Sequence, residues 1–214
     1  MTNPEKQALQ RPSAANEHSG DAINEARTHA WGHGQQHPRS ENSSQHHPAL
    51  PLVYVENHRS DTLRNTLANL AHSEIGQSLY RPLPGSHYSA REVTPKYGCI
   101  STGTNLMFKA MLEIGMVRKE QYGDFHEINV TDFVKKALDS KFIEPIAKEK
   151  AAPGDLIVGE DSSGRHMGIL THDKAGRLKV ANNYGGILRE DDINERFGAF
   201  AKTSYYRLTG KSPE

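Results

Sequence analysis

The chain has 214 residues, 35% of them hydrophobic and 24% charged, enough for one ordinary domain of about 150 residues and a further segment. Lys plus Arg and Asp plus Glu both number 26, so there is no net field to gather nucleic acid or anionic lipid, and nucleic-acid binding is set aside. Cys99 is the only cysteine, which excludes an intrachain disulfide and any multi-cysteine zinc or iron–sulfur site.

The opening stretch MTNPEKQALQRPSAANEHSGDAINEA lacks the basic start and apolar centre of a cleavable secretory signal. No apolar run approaches the roughly 18 residues a membrane helix needs. The expectation is a protein with no membrane span, cytoplasmic as synthesised; work outside its cell would require a specialised secretion system that reads no cleaved apolar signal. Residues 1–50 are dominated by Gln, Asn, Ser, His, Pro, Gly and charge, without apolar periodicity, and predict a disordered tail. Of the twelve histidines, His18, His29, His33, His37, His46 and His47 lie there, too irregularly spaced for a defined metal site. The folded domain is expected over residues 51–214.

Pro51 lies in the short apolar run LPLVYV, and Leu63, Leu67, Leu70 and Ile75 then predict an amphipathic helix over 61–79, with Asp61 as its cap. Residues 81–98, with three prolines and two glycines, read as a loop that delivers Cys99 to the next helix. That helix is expected from Ile100 to Ile114. It is apolar almost all round through Leu106, Met107, Phe108, Met111 and Leu112, which predicts a buried central helix ending near Gly115. A further helix is expected over Val130–Asp139, with Thr131 as cap and Phe133, Val134 and Leu138 facing inward.

After it the period changes. Asp155–Gly159, His166–Thr171 and Leu178–Asn182 predict an antiparallel meander joined by the turns DSSGR and HDKAG, and Ala201–Leu208 predicts a closing strand. Helices first and strands afterwards indicate an α+β fold, with N-terminal helices packed on an antiparallel sheet.

The chemistry suggested by these residues is nucleophilic. A helix amino terminus favours the thiolate through its unpaired N–H groups and its dipole, and Cys99 stands at that point. The first histidine after it in a strand setting is His166, in RHMGIL, the candidate base. Alternation puts His166, Gly168 and Leu170 on one face and Met167 and Ile169 on the other. Gly168 could then leave room for substrate or imidazole, or simply thin the strand for packing. A third group must fix the imidazole tautomer. Asn182 and Asn183, ending the next strand in VANNYGG, are the candidates, and Asn182 is favoured as the deeper of the two. One Cys and one His with an amide neighbour do not make a metal site, so no metal or cofactor is expected.

The order of IGQSLY, YGCISTGTNLMFKAML, APGDLIVG and RHMGIL, followed by a polar residue ending the next strand, resembles the NlpC-type cell-wall cysteine peptidases and their relatives with the CHAP fold. The resemblance spans roughly residues 60–208, and PGDL followed by HMGI is its most specific part. It departs at the nucleophile: the family has Asp-Cys-Ser-Gly where this chain has Gly98, Cys99, Ile100 and Ser101. The third polar residue, often His in the family, is here Asn.

The resemblance implies a papain-like fold and a cysteine amidase or endopeptidase that cuts peptide stems of peptidoglycan through a thioester acyl-enzyme. It also implies that the backbone N–H of Cys99, with the hydroxyl of Tyr80, receives the oxyanion; Tyr97, beside the nucleophile, is the alternative to Tyr80. An exported antibacterial effector fits this reading, and its expected partners are the peptide substrate and an immunity protein or chaperone. Two rivals are the same fold acting as a protease, deamidase or acyltransferase on a host protein or lipid, and a binding module without catalysis.

Overall fold

The computed structural model describes residues 52–213, apart from the side chains of residues 52–56 and of Tyr97. The expected tail over residues 1–50 lies outside the described residues. The elements in chain order are helices α1 (Leu52–Ser73), α2 (Cys99–Glu113), α3 (Tyr122–Phe125) and α4 (Val130–Asp139), strands β1 (Ile143–Ile146), β2 (Leu156–Asp161), β3 (Gly164–His172), β4 (Leu178–Tyr184) and β5 (Ile187–Asp191), helix α5 (Ile193–Phe197) and strand β6 (Lys202–Leu208). The fold is α+β, with helices packed against one six-stranded antiparallel sheet of order β1-β6-β2-β3-β4-β5.

Leu63, Leu67 and Ala71 are fully buried along α1, the four-residue spacing of one helix face. The helix is already formed at Leu52, nine residues before the expected start, so Asp61 is no cap; it lies mid-helix and bonds to Arg64 one turn on. The helix ends at Ser73. Gly76 takes a left-handed φ of 90°, and the chain then pairs briefly with β5, Gly76 N–H donating to Leu188 and Leu188 N–H to Gln77.

Helix α2 is buried at twelve positions from Cys99 to Met111, as its apolar circumference predicts. In α4 the cap is Asn129 rather than Thr131: its side chain accepts from the N–H of Thr131 at 2.8 Å. Phe133, Val134 and Ala137 face inward, whereas Leu138 is exposed. A helix advances 100° per residue, so Ala137, four after Phe133, keeps the face that Leu138 leaves.

Four elements escaped the pattern reading: α3 and α5, too short to show a period, the edge strand β1, which carries Pro145, and β5, whose ILRED mixes apolar and charged residues. The PGDL stretch is an anchor. Gly154 has φ 84°, and a Cβ there would lie 2.1 Å from the Arg64 carbonyl oxygen, so only glycine lets this turn meet α1. Beside it the fully buried Asp155 carboxylate accepts from Nε and Nη2 of Arg207 at 3.1 and 2.9 Å and from Ala152 N–H, with Arg64 at 3.5 Å. A buried charge needs such partners, and these tie β2 to β6 and α1.

The sheet has two apolar faces. Leu156, Val158, Met167, Ile169, Ala181 and Leu188 join α1 and α2 in the main core. Ile157, Leu170, Val180 and Tyr205 pack with Phe197 of α5 on the other side.

Candidate active site

Cys99 is the first residue of α2 and is 8% exposed. A short turn over Pro95–Tyr97 leads into it through Gly98. A Cβ at Gly98 would lie 2.4 Å from Cβ of Tyr80, so the Asp found before the cysteine in the resembled family has no room here. Burial pushes the Cys99 thiol above its ordinary value, while the N–H groups of Met167, Ile100 and Cys99 itself and the charge of Arg196 pull the other way. The depression expected from the helix terminus is therefore outweighed by desolvation, and the resting group is a thiol.

His166, near the start of β3, has its ring against Phe197 and Phe200, with centroids 5.4 and 6.3 Å away. Its Nε2 lies 3.1 Å from Oδ1 of Asn182. The orientation of that amide is pinned twice: Nδ2 donates to Oδ2 of Asp191 at 2.8 Å, and Oδ1 accepts from Nε of Arg196 at 2.9 Å. Because Oδ1 can only accept, Nε2 carries the imidazole proton and Nδ1 keeps the lone pair. Burial, the largest cause, lowers the pKa of His166 to about 4; Arg196, whose Nη2 stands 3.5 Å from Nε2, adds to this, against Asn182 and Asp191. The imidazole is neutral at pH 7, with Nδ1 free of hydrogen bonds among the described residues.

The structure thus brings His166 and Asn182 together, but no hydrogen bond joins Cys99 to His166. Helix α2 covers the other face of β3. It sits so close that a Cβ at Gly103 would be 2.1 Å from Cε of Met167. The thiol meets the strand at the Met167 N–H, one residue from His166, and feels the charge of Arg196, whose Nη2 stands 3.5 Å from the imidazole. Gly168 makes no space for a substrate: a Cβ there would lie 2.4 Å from Cγ2 of Val180, which makes it a packing glycine.

Asn183 does not contact His166. It is 3% exposed, its Nδ2 donates to the Pro95 carbonyl at 2.8 Å, and its Oδ1 is buried with no partner among the described residues. It ties β4 to the turn that precedes Cys99. Tyr80 packs on Gly98 and beside Gly186, and its carbonyl accepts from Oγ of Ser101 at 2.7 Å. The side chain of Tyr97 lies outside the described residues. Sequence reading missed Arg196 and Asp191; the only local hint was that Ile193 and Phe197 flank Arg196 at a helical spacing.

A second buried histidine lies nearby. His126 is 1% exposed, with Nε2 at 2.7 Å from Oγ of Ser101 and Nδ1 at 2.8 Å from Oγ of Ser86. One assignment satisfies every group: Tyr88 N–H donates to Ser86, Ser86 to Nδ1, Nε2–H to Ser101, and Ser101 to the Tyr80 carbonyl. Tyr122 stacks on the ring and bonds to Asn105, whose Nδ2 holds the Leu79 and Arg81 carbonyls. The network fastens the loop before Cys99 to α2.

No group of three or more His, Cys, Asp or Glu is placed to hold a metal ion among the described residues, and no helix there is long and apolar enough to cross a membrane. Neither a scan against protein-family models nor a search of curated proteins finds a match to this chain.

Proposed function

We propose that this chain is a papain-like cysteine hydrolase that cleaves amide bonds in the peptide stems of peptidoglycan. The observation that carries the chemistry is a thiol at a helix amino terminus, against the N–H of the residue that follows a neutral imidazole whose protonated nitrogen is committed to an amide. In this mechanism substrate binding closes the pair, as catalytic hydrogen bonds often tighten only in the substrate complex. Nδ1 of His166 takes the thiol proton and Sγ attacks the carbonyl carbon. The N–H of Cys99, helped by the Tyr80 hydroxyl, receives the oxyanion. The imidazolium gives its proton to the departing amine and leaves a thioester. Nδ1 then takes a proton from water as the water attacks, and the expelled thiolate recovers the proton.

The substrate class rests on the resemblance of PGDL and HMGI to cell-wall peptidases. Purified peptidoglycan incubated with the protein should release peptide fragments detectable by mass spectrometry, and Cys99→Ala should release none. Identical fragment profiles from the two proteins would refute the assignment.

A further inference from the structure

The end of β4 carries a feature the proposed chemistry does not use. Tyr184 is 50% exposed, and two guanidinium groups gather on its ring, Cζ of Arg189 at 5.0 Å and Cζ of Arg196 at 4.7 Å from the centroid. Alternation along β4 puts Tyr184 on the face of Asn182, and Arg189 is directly opposite Asn182 in the pairing of β4 with β5. Arg196 donates through Nε to that same Asn182 and stands 3.5 Å from the imidazole. The three side chains, with Asp191 and Glu195, line a cleft of about 250 Å³, and one of them, Arg196, also reaches the candidate base.

Two like charges brought together on one ring repel, and a third party should relieve them. Among the described residues neither guanidinium forms an ion pair, although two carboxylates share the cleft. Asp191 is engaged by Nδ2 of Asn182, and the exposed Glu195 reaches neither arginine within ion-pair distance. A guanidinium presents a planar fork of donors that matches a carboxylate, and stacking on an aromatic ring holds the fork in place.

We infer that Arg189 and Arg196, braced on Tyr184, form a subsite for a free carboxylate of the substrate, next to His166. This rests on the amide-hydrolase reading and narrows it: the enzyme prefers stems whose carboxylates are free over stems in which they are amidated. Arg189 is a specificity residue and touches none of the reacting atoms. Arg196 serves both the subsite and the Asn182 amide.

The test uses the full chain carrying Cys99→Ala and two probes, the tripeptide L-Ala-γ-D-Glu-L-Lys and the same peptide with its carboxylates amidated, titrated by calorimetry. The acid should bind about ten- to a hundredfold tighter than the amide, the range of a charge-assisted hydrogen bond. Arg189→Gln, on the exposed side of β5, should remove that preference while leaving the melting temperature unchanged, and Glu195→Gln should preserve it. Equal binding of the two peptides, a preference that survives Arg189→Gln, or no binding of either peptide would overturn the subsite. Fragment release from peptidoglycan by the unsubstituted protein is read separately, so loss of the hydrolase reading and loss of the subsite give different results.

Discussion

His126 and His166 look alike by burial and by charge. Desolvation holds each neutral, with a pKa lowered to about 4, and each has its tautomer set by a neighbour. They differ in what is left over. Both nitrogens of His126 are occupied, and the chain of donors that begins at Tyr88 N–H ends on the Tyr80 carbonyl, so no proton can move without breaking a bond that holds the loop. His166 has one nitrogen committed to Asn182 and the other without a hydrogen bond among the described residues, and the next residue of its strand meets the only thiol. A displaced pKa marks a buried base, but an unfilled lone pair beside a nucleophile marks one with work to do.

The sharpest way to break this comparison is to remove each partner in turn. Cys99→Ala, His166→Ala and the double substitution should lose nearly the same activity, on the order of a thousandfold or more, because groups that act as a unit are strongly non-additive. His126→Gln should keep its turnover per folded molecule. Additive losses at Cys99 and His166, or a collapse of turnover in folded His126→Gln, would reverse the roles given to the two histidines.

The next effect is on stability and belongs mainly to His126. Replacing its ring breaks the two hydrogen bonds to the Ser86 and Ser101 hydroxyls, the second fully buried, which should cost about 2–4 kcal/mol and lower the melting temperature by roughly 5–15 °C. Both histidines also couple folding to pH. Their folded pKa of about 4 lies below the ordinary 6.5, so the unfolded chain binds more protons between these values. Stability is fully present above pH 6.5 and is lost as pH falls toward about 4. Urea midpoints at pH 7 and pH 4.5 should differ for the unsubstituted chain and differ less for His126→Gln.

The smallest effect concerns the resting thiol. Since burial outweighs the N–H groups around Cys99, iodoacetamide should react with a midpoint above the reference of about 8.5, and His166→Ala should change the free protein's profile little. A midpoint below pH 7 would mean that a thiolate–imidazolium pair already exists before substrate arrives.

Much of the scaffold was legible in the residues. The apolar circumference of α2 and the short runs of β2, β3 and β4, apolar on both faces and bounded by turn residues, are local patterns that the chain carries in its own composition. The nine early residues of α1 were not legible, because LVYVENHRS carries no clean stripe, and β1 and β5 are edge strands whose mixed polarity reflects one-sided burial. For the site, the types of Cys99, His166 and the two asparagines pointed to the chemistry, and only depth in the strand favoured Asn182 over Asn183.

What the sequence by itself determined was therefore the α+β order of elements and the short set of chemically able side chains. Only the tertiary structure decided between Asn182 and Asn183, since the β3–β4 register pairs Gly168 with Asn182 and turns Asn183 toward Pro95. It alone brought Arg196 from α5 onto the Asn182 amide, closed the bonds around His126, and set the thiol against the N–H of Met167, one residue from the imidazole. The physical reason is range: periodicity reports on neighbours within a turn or two, whereas register, desolvation and the direction of a hydrogen bond depend on residues that only folding makes adjacent.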